Sequence, residues 1–336
     1  MKPTDFAEHL TNFLTVFLPV QKNASKNTIS SYRDTFKLLI VFCDSCKNIR
    51  AEKITMAKLS SETIKEFLFW LETDRRCSIS TRNQRLAAIH SFFRYAQVES
   101  PSNILHFQKV IAIPVKKAPK PNIEHLNPDS MKLLLSQPNK TSIKGRRDLT
   151  LLSVLYDTGA RVQELIDLRV RDVRLDTPAV INIRGKGNKT RVVPVMKDTA
   201  TLLGSYLKEN RLIDEWKNEF PIFTNSQGNA LTKEGIAFII AKYANMARQS
   251  SPLFPDKVKP HMFRHSKAMH LLQANVNLIY IRDFLGHVDI QTTEIYAKAD
   301  VETKRVAIES ASLPIIDSNL PDWNKNNALV DWLSQL

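Results

Sequence analysis

Between residues 109 and 121 the chain reads KVIAIPVKKAPKP, three prolines and four lysines in thirteen positions with no helical period. Proline fixes φ and lacks the N–H that a helix or a central strand needs, and clustered lysines resist burial, so this stretch has to run extended at the surface. It divides the chain near residue 120. Its 336 residues are enough for two compact domains, and 43% hydrophobic content supplies their cores. We place an N-terminal helical domain over residues 1–108, a basic linker over 109–125, a second domain over 126–312 and a C-terminal tail over 313–336.

Apolar side chains ahead of the linker recur at helical spacing. Phe6, Leu10, Phe13, Leu14, Phe17 and Leu18 mark one stripe; Ile29, Tyr32, Phe36, Leu39 and Cys43 mark a second. Ile64, Phe67, Leu68 and Leu71 follow, then Leu86, Ile89 and Phe93, which predicts a four-helix bundle. Arg82 and Arg85 fall off the last stripe, on a face that either meets phosphates or is simply solvated. After the linker, SMKLLLSQ and RRDLTLLSVLYDTGA read as helices, the second ending near Gly159, and RVQELIDLRVRDV begins another with Arg161 in its first turn. AVINIRGKGNKTRVVPV (179–195) is instead two β-branched runs about GKGN, the pattern of an antiparallel hairpin, with PIFTNSQG as a possible third strand. Helical period returns from Ile236 to Met246 and from Met269 to Leu285. The fold class is therefore mainly α: a four-helix N-terminal domain plus a mostly helical second domain with a small antiparallel sheet.

Charge points to a polyanion. Lysine and arginine number 48 against 34 acidic residues, a net charge of +14. Both halves and the linker share the excess, so a partner touching both domains gains from counterion release. Cys43, Cys46 and Cys77 are too few for a disulfide framework, and a lone C-x-x-C lacks a second pair for zinc; they read as small core thiols on a helix. No signal pattern opens the chain and no apolar run approaches the ~18 residues of a membrane span, so the expected setting is a reducing cytoplasm, without a membrane partner.

HMFRHSKAMH (261–270) packs three histidines and an arginine into ten positions. His261 and His265 have the one-turn spacing of a zinc-protease pair, but position 262 is Met where a catalytic Glu is needed, and Arg264 would set a fixed cation beside a dication. GKGNK is not a phosphate-binding loop of the P-loop type, because it sits between strands and lacks the required spacing. Phosphate suits the histidine box better. A nucleophile approaching a phosphodiester needs fixed cations on the nonbridging oxygens and a proton donor for the leaving oxygen, and arginine fits the first task with a fork that matches two oxygens. Arg161 and Arg264 are the candidates.

GARVQEL (159–165), RGKGNKTRVVP (184–194), HMFRH (261–265), LGH (285–287) and TTEIYA (292–297) together resemble, in order, the motifs of the tyrosine site-specific recombinases, the phage-integrase and Xer-type family. The likeness is close over roughly 126–312 and architectural over the first domain. It implies that Arg161 and Arg264 bind the scissile phosphate with His287 as a further donor. Lys186 would then be the general acid for the departing 5′ oxygen, His261 the acceptor or relay of the nucleophile's proton, and Tyr296 the nucleophile. Glu164 would orient Arg161 and His265 would give structural support, while His270 reads as an ordinary helix residue and Tyr280 as core. A phenol of pKa about 10 needs nearby cations and a base to react near neutral pH, consistent with this set.

The resemblance further implies cleavage and rejoining of double-stranded DNA sites through a 3′-phosphotyrosine, with no metal or other cofactor, in a synaptic homotetramer with possible accessory or directionality proteins. Arg82, Arg85, Lys116 and Lys117 are candidate DNA contacts, and a prokaryotic chain of this kind would sit on the nucleoid. The expected role is integration or excision of a mobile element. Xer-type chromosome dimer resolution, a type IB topoisomerase, a telomere resolvase and a DNA-binding protein without catalysis are the alternatives. Residues 301–311 are a candidate docking helix; the tail beyond them, acidic and ending in Leu329, Trp332, Leu333 and Leu336, is a candidate oligomer contact or latch.

Overall fold

Ser25, Ser60 and Ser78 each accept a hydrogen bond from the backbone N–H three residues on and so start three helices of the first unit, a use of serine that satisfies amides the helix itself leaves open. The structure is a computed structural model and describes residues 2–119, 123–185, 187, 189–287, 289–299, 305 and 331–335. The chain divides into two units, Met1–Pro121 and Asn122–Leu336.

The first unit holds α1 (Asp5–Asn12), a π-helical stretch Phe13–Gln21, α2 (Lys26–Lys47), α3 (Ser61–Thr73), α4 (Ile79–Glu99) and α5 (Ile104–Ile111). The four expected helical stretches all form. Pro19 explains the π-helix: it offers no N–H and crowds the turn before it, and the Lys22 amide reaches back to the Phe17 carbonyl at 2.9 Å. Phe13, Phe36, Phe92 and Phe93 are buried in the core, with ring centroids 5.0 Å apart for Phe36 and Phe92 and 5.4 Å for Phe13 and Phe92.

Helix α5 was not anticipated. It carries three residues of the expected linker, and Val110 and Ile113 are core residues of this unit. Lys116 is held as well: the Asn83 side chain bonds its backbone carbonyl and amide, and its ammonium pairs with Glu72 at 2.8 Å. Arg82 is a correction of the same kind. Its side chain turns inward, 3.5 Å from Glu72 and donating to the Pro114 carbonyl, so it does not lie on an open basic face. Arg85 is half-buried against the Thr35 hydroxyl, whereas Lys117 is exposed. Of the cysteines, Cys43 is a buried helix thiol as expected, Cys46 is exposed and Cys77 lies beyond α3, half-buried.

The second unit runs α6 (Pro128–Ser136), α7 (Ile143–Thr158), α8 (Val162–Ile166), β1 (Val173–Arg174), β2 (Val180–Arg184), β3 (Thr190–Pro194), α9 (Lys197–Glu209), α10 (Lys233–Ser250), α11 (Pro260–Gln273), α12 (Leu278–Leu285) and α13 (Gln291–Ala299). The hairpin forms with Val180 opposite Pro194 and Arg184 opposite Thr190. Its third strand is β1, which pairs Val173 with Ile181; PIFTNSQG makes only isolated bridges, because Ile222 and Phe223 bury themselves among the helices. Ile181, Ile183 and Val193 put the inner face of the sheet into the core.

Two further expectations fail here. Tyr280 is 70% exposed. Helix α12 buries one face, where Ile281 and Leu285, one turn apart, take the core, and Tyr280 lies off it. His270 is more than an ordinary helix residue. Its Nδ1 meets the Tyr156 hydroxyl at 2.8 Å and its Nε2 the Leu126 carbonyl at 2.9 Å, while Ser266 accepts from the Leu126 amide, so α11 fixes where the second unit begins. Among the described residues no helix is long and apolar enough to cross a membrane. Of residues 301–336, only Arg305 and the short segment 331–335 lie within the described residues; the rest of the candidate docking helix and tail lies outside them.

Candidate active site

Helix ends build the site. Helix α7 stops at Gly159, which takes the left-handed conformation (φ 57°), and α12 stops in the same way at Gly286 (φ 65°). Both ends leave carbonyls without a helical partner, and Arg264 answers both: Nη1 donates to Gly159 O at 2.8 Å and Nη2 to Leu285 O at 2.6 Å. Arg264 is 4% exposed, and burial together with Arg161 pushes its pKa down to about 10, so it stays charged at neutral pH. Two of its five N–H donors are used in this way, and among the described residues no hydrogen-bond partner takes the other three.

Arg161 caps α8 two residues after Gly159, and Glu164 at the third helical position accepts from the Arg161 amide at 2.9 Å, as a capping glutamate does. The same carboxylate takes the Arg161 guanidinium on Oε1 at 2.7 Å. Its Oε2 also accepts from Arg191 Nη2 at 2.7 Å, a strand residue to which the sequence analysis gave no role. Burial alone would raise the Glu164 carboxyl; the bonds from Arg191 and Arg161 outweigh it and hold the pKa below the ordinary value. Arg161, Arg191 and His287 face one cleft of 650 Å³, with Lys189 and Arg282 on its rim. Lys186 lies outside the described residues.

The tyrosine sits behind this cleft. Tyr296, on α13, is 1% exposed and packs with Ala268, Met269, Ile281 and Leu285. Its hydroxyl is hydrogen-bonded to His265 Nδ1 at 3.0 Å, not to His261, whose ring is 6.3 Å from that of His265. Burial raises the Tyr296 pKa, while Arg264 and Arg161 pull it down. His287 stacks on Tyr296 at 6.4 Å with the rings 10° from parallel, and its Nδ1 meets the Thr293 hydroxyl at 2.8 Å. Lys267, also inside HMFRHSKAMH and unassigned from sequence, is buried against Asp157 at 3.0 Å, and Asp157 accepts the Met196 amide, which locks α11 to α7 and to the start of α9. Among the described residues no group of three His, Cys, Asp or Glu side chains is placed to hold a metal ion.

The histidines are held neutral. Burial, then Arg264, Arg161 and Arg191, push His287 down from 6.5 to about 4, and burial lowers His261, His265 and His270 as well. A group that is neutral when folded but protonates when unfolded gives the unfolded chain more bound protons, so stability rises with pH across about 4 to 6.5. The melting temperature is therefore expected to fall between about pH 7 and pH 5, before most carboxylates titrate, and to fall less in His287→Asn. Identical falls in the two proteins would remove His287 as a contributor.

The model of the phage integrase family matches residues 124–303, and that of the phage integrase N-terminal SAM-like domain matches residues 10–99. The chain is 35% identical over 312 residues to "Putative integrase/recombinase y4rC" of Sinorhizobium fredii (strain NBRC 101917 / NGR234), covering 93% of each. It is 30% identical over 283 residues to the tyrosine recombinase XerD of Listeria monocytogenes serotype 4b (strain F2365), covering 83% of this chain and 90% of that one. In fold it is similar to the Tn1549 transposon integrase in complex with transposon right end DNA, with a TM-score of 0.69 at 17% identity over 90% of this chain and 99% of the other. The XerH recombinase bound to palindromic difH substrate gives 0.67 at 23% identity over 87% and 81%. With a family match over more than half its length and relatives at this identity, the chain belongs to the phage integrase family, the tyrosine recombinases, enzymes that cleave and rejoin DNA.

Proposed function

We propose that this protein exchanges strands between two double-stranded DNA sites, with Tyr296 as nucleophile and Arg161, Arg264 and His287 as the phosphate-binding set. The observation that carries the reading is the convergence of two arginines and a neutral histidine beside one tyrosine, from motifs more than a hundred residues apart. The Tyr296 oxygen bonds to phosphorus and the 5′ oxygen leaves, so the phosphodiester is kept as a 3′-phosphotyrosine ester and rejoining needs no external energy source. His265 is the nearest acceptor for the phenolic proton, with His261 one turn away as a relay. Lys186 is assigned to protonate the 5′ oxygen from its place in RGKGNKTRVVP. Because Tyr296 is buried against His265, attack requires α13 to turn the hydroxyl towards the cleft.

The chain is proposed to bind the duplex with Lys116 and Lys117 as backbone contacts and to act as a homotetramer at synapsis, with accessory or directionality proteins as further partners, in the cytoplasm on the nucleoid. Relatives named integrase and a transposon integrase of the same fold support a mobile-element role; relatives named XerD support dimer resolution equally in chemistry.

The test starts from a pool of nicked suicide duplexes with randomised arms, incubated with the protein in a chelator. Covalent protein–DNA adducts, isolated after detergent denaturation and sequenced, are expected and would reveal the site. No adduct from the wild-type chain would sink the reading. Mixing two differently labelled copies of the selected site separates strand exchange, which yields hybrid products, from topoisomerase or telomere-resolvase action within one duplex.

A further inference from the structure

We propose that Arg191 is a positioning residue for Arg161, acting through Glu164, a role that rests on the recombinase reading above. The hairpin register puts Arg191 opposite Ile183 and on the same face as Val193, so a guanidinium enters where alternation calls for a core side chain. Its side chain is 11% exposed and Glu164 is 6% exposed. Nη2 binds Glu164 Oε2, and Nε donates to the Phe284 carbonyl at 3.0 Å, in the last turn of α12. Gly286 makes the room: a Cβ there would lie 2.9 Å from Arg191 Cδ and 3.0 Å from Nη1. The Arg191 guanidinium thus ties the hairpin to α8 through Glu164 and to α12 through the Phe284 carbonyl.

The consequence is electrostatic. One negative charge stands between two guanidiniums, so the Arg161 side chain engages Glu164 through Nη1 alone and, among the described residues, its other guanidinium donors carry no acceptor. Without Arg191, Glu164 Oε2 keeps only the Arg161 amide and has room for the Arg161 guanidinium as well, and a guanidinium prefers the two-bond fork to a single bond. Arg161 then turns from the phosphate towards Glu164, and the site also loses one positive charge. The chemical step slows more than DNA binding does, because many other cations hold the duplex.

The experiment compares wild type, Arg191→Ala, Arg191→Lys and the double variant Arg191→Ala with Glu164→Gln on the selected nicked duplex. At saturating DNA, Arg191→Ala is expected to lower the first-order rate of adduct formation about 30-fold, with Kd for DNA changed by less than about threefold, and Arg191→Lys to recover part of the loss. The double variant is expected to be at least about fivefold faster than Arg191→Ala, since a neutral amide no longer draws Arg161 away. A wild-type rate in Arg191→Ala overturns the proposal. So does a double variant as slow as the single one, the result of a residue that only anchors the hairpin. A second readout needs no DNA site: inorganic phosphate, titrated by phosphorus NMR against the same intact proteins, should bind more weakly to Arg191→Ala and regain affinity in the double variant. Absence of any adduct from wild type would count against the recombinase reading, while the phosphate titration still decides the role of Arg191.

Discussion

Tyr296→Phe is expected to abolish the covalent protein–DNA adduct, lowering its formation by at least about 10³-fold, while leaving a folded protein that still binds DNA. Among the described residues no other tyrosine stands beside His265 and His287: Tyr280 is exposed on α12, away from Ile281 and Leu285, and Tyr156 is engaged with His270. The stability change should be small, about 1 kcal/mol, because the lost hydroxyl forfeits one hydrogen bond to His265 while the ring keeps its packing. Detergent-resistant adducts measured beside a thermal melt give both numbers. An adduct persisting in Tyr296→Phe would move the nucleophile to another residue.

Arg264 should give the second large effect, and on two properties at once. Arg264→Ala removes the donor to Gly159 O and Leu285 O, leaving two buried carbonyls at helix ends; at ~1–3 kcal/mol for each the fold loses on the order of 2–6 kcal/mol. Arg264→Lys keeps the charge but cannot hold both carbonyls and still present a fork to phosphate, so it should retain more stability than Ala yet lose about 10²-fold or more in adduct formation. Denaturant unfolding separates the variants by stability, and single-turnover cleavage separates them by rate. A lysine variant matching wild type in both would show that geometry at this position matters less than charge.

Much of the site was legible because each motif reports a local requirement. Gly159 marks a helix end that only a left-handed residue closes, Arg161 follows it into a helix start, and Glu164 stands at the capping position that reaches back to it. What local pattern misreads is inward polarity. Arg82 reads as a candidate DNA contact or a solvated cation because it lies off the apolar stripe, yet Glu72 and the Pro114 carbonyl draw it in. Lys267, His270 and Arg191 were passed over for the same reason. A signal for Arg191 existed: in TRVVP it shares the face of Val193, and a charge on the core side of a strand demands a carboxylate partner.

The sequence by itself determined the helical periods, the hairpin, the basic balance and the ordered motifs that carry the family, because each depends on neighbours in the chain. The tertiary structure alone decided which histidine meets Tyr296, that Arg264 is anchored by two helix ends 126 residues apart in sequence, and that Glu164 is shared by two arginines. Those choices rest on distances of about 3 Å between side chains brought together by packing, and a linear pattern holds no information at that scale until the core has set the elements in place.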